Sequence, residues 1–96
     1  MKLDFERINA VALPVLPALA ARWLPDGRRE GHEWVARNPR RADRRAGSFR
    51  VNLQTGRWAD FACEAKGGDV ISLAAYLSGA SQADAARELA KMLGIG

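Results

Sequence analysis

Ninety-six residues, 48% of them apolar and 7% aromatic, suffice for one folded domain with a small core. One cysteine and one histidine exclude an internal disulfide and a four-ligand Cys/His zinc site. The net charge of +4 arises in residues 28–50, where eight arginines face only Glu30, Glu33 and Asp43, the footprint expected of phosphate binding.

In chain order, the first element is helical over about residues 4–24, because Phe5, Ile8, Ala12, Val15, Leu16, Leu19 and Trp23 recur at three- and four-residue steps. Asp4 is placed to cap its start. Pro14 and Pro17 each remove a helix donor and crowd the preceding turn, so two short helices, or one kinked near Leu13, are expected. Pro25-Asp26-Gly27 marks a turn. Strands are predicted over about 33–37, 48–53 and 57–62. In the second of them Phe49, Val51 and Leu53 alternate with Ser48, Arg50 and Asn52. Gln54-Thr55-Gly56 is a tight-turn signal with a glycine available for positive φ. Residues 38–47 read as a basic loop.

Gly67-Gly68-Asp69 closes the strand region, and Asp69 is suited to cap a helix. Helices over about 69–78 and 82–93 then form a hairpin. Val70, Ile71, Leu73, Ala74 and Leu77 supply the buried face of the first, which Gly79 stops. Ser81 with Asp84 resembles a capping box for the second, where Ala85, Leu89 and Leu93 are spaced by four. The pattern predicts an α+β fold in a single domain over residues 1–96. A small antiparallel sheet, a zinc-ribbon-like hairpin core, is flanked by N-terminal helices and a C-terminal helical hairpin.

Four segments carry a resemblance. They are Asn38-Pro39-Arg40-Arg41-Ala42-Asp43, Ser48-Phe49-Arg50-Val51, Asp60-Phe61-Ala62-Cys63 and Gly67-Gly68-Asp69. Their order and spacing resemble the zinc-binding, CHC2-type N-terminal domain of bacterial and phage DNA primases. That family carries Cys-Pro-x-His-x-Asp, Ser-Phe-x-Val, Cys-Phe-x-Cys and Gly-Gly-Asp in turn, and one extra residue is needed here between Asp43 and Ser48. The flanking helices and the closing Leu93-Gly94-Ile95 also have counterparts there. The resemblance places the metal ligands at Asn38, Arg41, Asp60 and Cys63, of which only Cys63 is a ligand type. It thus implies a degenerate zinc finger that folds without metal or other cofactor. Arg41 and Asp60 are expected to meet through two parallel hydrogen bonds, with Asn38 adding amide capacity. The alternative is that all three point to solvent.

The expected function is a single-stranded DNA template-binding module, not catalytic alone, acting beside a catalytic primase or helicase domain. The resemblance further suggests a role in DNA replication, in a phage, plasmid or other mobile element. The alternative is a protein-interaction or regulatory module that retains the fold but not the DNA surface. Nucleic-acid contacts are expected from Arg40, Arg41, Arg44, Arg45, Arg50, Arg57, Trp58 and Lys66. Phe49 and Phe61 are expected in the core, while Trp34 and Trp58 suit either core or base stacking, and Trp23 packs at its helix end. Cys63 is expected to be a small packed hydrophobe rather than a nucleophile, and His32 a plain surface residue. No apolar run spans a membrane and no signal-peptide core begins the chain, so a cytoplasmic protein is expected.

Overall fold

The computed structural model describes residues 3–40 and 48–95. Helix α1 runs Phe5–Ala12 and α2 runs Leu16–Trp23, joined by a single 3-10 turn over Leu13–Val15. Asp4 caps α1 by accepting from the Arg7 N–H at 3.0 Å. The break falls where Pro14 and Pro17 require it. Pro17 sits in the first turn of α2, where its missing N–H leaves no hydrogen bond unmade. Ile8, Ala12, Leu16 and Leu19 form the buried stripe of this helical pair. Phe5, the first residue of α1, and Val15, the last of the 3-10 turn, share their periodicity but are partly exposed instead.

Five strands follow: β1 Arg28–Glu30, β2 Glu33–Ala36, β3 Phe49–Asn52, β4 Trp58–Asp60 and β5 Lys66–Gly67. They pair antiparallel in sequence order, forming an open meander. Two of them, β1 and β5, are additional to the three strands predicted. The turn between β1 and β2 uses Gly31 at φ 62, and that between β3 and β4 uses Gly56 at φ 81. Helices α3, Val70–Ser78, and α4, Gln82–Leu93, close the chain. The fold is α+β, with both helical pairs flanking the antiparallel sheet.

Register decides which side chains face the helices. Trp34, Val51, Trp58 and Gly67 lie in one cross-strand row, and Ala36, Phe49 and Asp60 in the next. Both rows face the core, since Phe49, Val51 and Trp58 are buried together with Ile71 and Leu73 of α3. Phe49, Trp58 and Tyr76 form an aromatic cluster, with centroids 5.7 Å apart for Phe49–Trp58 and 4.8 Å for Trp58–Tyr76. Trp34 packs against the end of α2 and donates its indole N–H to the Leu24 carbonyl at 3.0 Å. The N-terminal helices are tied in by one further bond: Asn9 Oδ1 accepts from the Ile71 N–H at 3.0 Å, satisfying a donor in the first turn of α3.

The two glycines before α3 have different reasons to be there. A Cβ on Gly67 would collide with the Trp58 indole and the Ser72 hydroxyl, whereas one on Gly68 would meet nothing. Asp69 then caps α3 by accepting from Ser72 N–H at 2.8 Å, and Ser72 Oγ accepts in turn from the Asp69 N–H and from Trp58 Nε1. Gly67→Ala is therefore expected to lower stability by about 1 kcal/mol or more, a drop of roughly 4–8 °C in melting temperature, while Gly68→Ala leaves it nearly unchanged. Thermal unfolding of the two variants followed by circular dichroism checks the contrast.

Candidate nucleic-acid interface

Three of the four positions matched to metal ligands fall within the described residues. Asn38 follows β2, Asp60 ends β4, and Cys63 closes the next turn, its N–H donating to the Asp60 carbonyl at 3.2 Å. Asn38 and Asp60 are 1% and 2% exposed and meet directly. The Asn38 amide donates one hydrogen to Asp60 Oδ2 at 2.8 Å and the other to the Tyr76 hydroxyl at 2.7 Å. Its Oδ1 accepts from the Arg40 N–H at 2.8 Å, and Asp60 Oδ1 accepts from the Ala62 N–H at 2.9 Å.

Asn38 and Asp60 are paired at this end of the sheet, and neither points to solvent. Arg41, the expected partner of Asp60, lies outside the described residues, as do Arg44 and Arg45. Tyr76, which sequence reasoning did not single out, supplies the third corner. Nothing in the spacing betrays it, because it comes from α3 and reaches the site only through the tertiary fold.

These residues do not fit zinc. Asn38 turns amide hydrogens, not a lone pair, toward Asp60 and Tyr76, and the Asp60 carboxylate accepts one of them. Cys63 is the one thiol, and among the described residues no group of three His, Cys, Asp or Glu side chains converges.

The second feature is a groove on the opposite, open face of the sheet. Register places Arg28, Val35, Arg50, Ala59 and Lys66 in one row there, and Glu33 beside Asn52 in the next. The groove encloses about 600 Å³ and is lined by Arg50, Arg57 and Lys66, with Ala59, Gly67 and Gly68 as a low floor. Glu33 also lines it and holds Arg50 at 3.0 Å, a half-exposed ion pair. Phe61 stands in its wall and is 74% exposed.

Three of the expected contact residues, Arg50, Arg57 and Lys66, are thus brought together. Arg40 is elsewhere: it is exposed, but its guanidinium lies over the Tyr76 ring at 5.4 Å and donates to the Tyr76 carbonyl at 3.0 Å. Trp58 is only 5% exposed, with its ring packed against Phe49 and Tyr76 and its N–H held by Ser72. Just an edge of it reaches the groove, so it offers no ring face for a base. Phe61 takes the reverse correction and is a surface aromatic rather than core. One parity explains both. With Asp60 opposite Phe49 on the inner face, Trp58 must point inward and Ala59 and Phe61 outward.

Compared with protein families, residues 26–96 match the model described as CHC2 zinc finger, the zinc ribbon of DnaG-type primases. The match covers the sheet and the C-terminal hairpin and starts after α2. Curated proteins give no match.

Proposed function

The chain belongs to the CHC2 zinc-finger family, and from that membership we propose that it is a primase-related module that binds single-stranded DNA without a metal. It has no catalysis of its own and works in the cytoplasm beside a catalytic primase or helicase domain. The observation that carries this reading is the open-face groove. Single strands are held by a positive channel that tracks phosphates together with aromatic rings on which bases stack. Arg50, Arg57 and Lys66 supply the first and Phe61 the second. The hydrogen bonds around Asn38 and Asp60 support the metal-free part.

Glu33 qualifies the electrostatics. Its pairing with Arg50 means that a phosphate must share that guanidinium, whereas Arg57 and Lys66 are exposed. Fluorescence anisotropy with a labelled oligodeoxynucleotide at several salt concentrations is the test. Three phosphate contacts give a slope of log affinity against log salt of about −2, from about −0.7 per contact. Arg57→Ala and Lys66→Ala are each expected to weaken binding and flatten the slope by roughly 0.7. Absence of binding at low salt would favour the alternative, a protein-interaction module on the same fold.

A further inference from the structure

We propose that the Asn38–Asp60–Tyr76 cluster is a metal surrogate: hydrogen bonds now join the two segments that a zinc ion would otherwise clamp, tie them to α3 through Tyr76, and free the fold from zinc supply. The observations are geometric. The end of β2, the turn after β4 and the middle of α3 meet at one amide nitrogen, with contacts of 2.8 and 2.7 Å. Arg40 adds a second bridge between the β2 exit and α3, through its N–H to Asn38 Oδ1 and its guanidinium to the Tyr76 carbonyl. Among the described residues no buried side-chain nitrogen or oxygen lacks a partner, so the polar atoms of the cluster are satisfied without a metal.

The turn at residues 60–63 keeps the form a metal knuckle needs. The Cys63 N–H closes it on the Asp60 carbonyl, and the Ala62 N–H points at the Asp60 side chain, where it would meet a ligating atom at that position. A carboxylate accepts that N–H and, on its other oxygen, the Asn38 amide. The attraction between two ligand positions through a cation has become a direct donor–acceptor contact. This inference concerns folding alone and stands or falls separately from nucleic-acid binding.

The test compares the wild type with Asn38→Ala and Asn38→Cys/Asp60→Cys, each with EDTA, with zinc, and with cobalt(II) as a spectroscopic probe. The wild type is expected to melt at the same temperature with EDTA and with zinc. Asn38→Ala removes the amide donor shared by the buried Asp60 carboxylate and the half-buried Tyr76 hydroxyl and should melt about 10 °C lower, or fail to fold, with no rescue by zinc. The double-cysteine variant, which retains Cys63, should bind one cobalt ion with thiolate charge-transfer absorbance, releasing thiol protons as it does so. Its melting temperature should rise with zinc and fall with EDTA. The last result separates a surrogate from an ordinary buried hydrogen bond, since it requires the side chains at positions 38, 60 and 63 to converge on a point of metal size. The proposal is overturned if EDTA lowers the wild-type melting temperature or if Asn38→Ala melts like the wild type. It is equally overturned if the double-cysteine variant, refolded with zinc, takes up no metal.

Discussion

Trp58→Ala is expected to cost about 3–5 kcal/mol of stability, the range for deleting a large buried aromatic side chain. The indole fills the space between Phe49 and Tyr76 and lies against Gly67, so its removal opens a cavity between the sheet and α3. It also removes the donor to Ser72 Oγ and loosens the capping of α3. A domain of this size has only about 5–15 kcal/mol in all, so the variant should be largely or partly unfolded at physiological temperature. Trp58→Phe should keep most of the packing and lose the hydrogen bond, costing less. Urea unfolding of both variants measures the difference. A Trp58→Ala protein as stable as the wild type, yet defective in binding oligonucleotides, would mean that the indole works at the surface.

Phe61→Ala should behave in the opposite way. The ring makes little burial, so stability should change by no more than about 0.5 kcal/mol. If it stacks on a base, affinity for single-stranded DNA should fall by about 1–3 kcal/mol, roughly 5- to 150-fold. Phenylalanine carries no charge, so the salt slope should stay as it is. That separates Phe61 from Arg57 and Lys66, whose removal changes the slope. Unchanged affinity in Phe61→Ala would remove the stacking platform from the proposed site and leave the cations alone.

The helices and the central hairpin were legible because their signals are local. Phe49, Val51 and Leu53 alternate cleanly, Asp69 and Ser81 are capping residues, and the prolines mark the helix break. The family motifs were legible as well, and they single out Asn38 and Asp60 by position alone. The side-chain partners were less accessible. Asn38 finds Tyr76 across 38 positions of sequence, and no periodicity encodes that meeting. The sorting of Trp58 and Phe61 was within reach. Alternation with polar neighbours suggests the core for Phe61 as for Phe49, but strand parity places Trp58 and Asp60 inside and Phe61 outside.

The two strands that the sequence concealed are the outermost ones. A five-stranded open sheet presents two unpaired backbone rows, each a template for another chain. Here β1 is a run of three exposed charged residues, Arg28-Arg29-Glu30, and β5 is only two residues long, one of them glycine. Both are poor strand formers, and both are poor partners for a passing strand. The features that hide them from pattern reading also discourage the module from joining edge to edge with its own copies. An open sheet can then offer a bare face to a ligand while remaining protected against growth into a fibre.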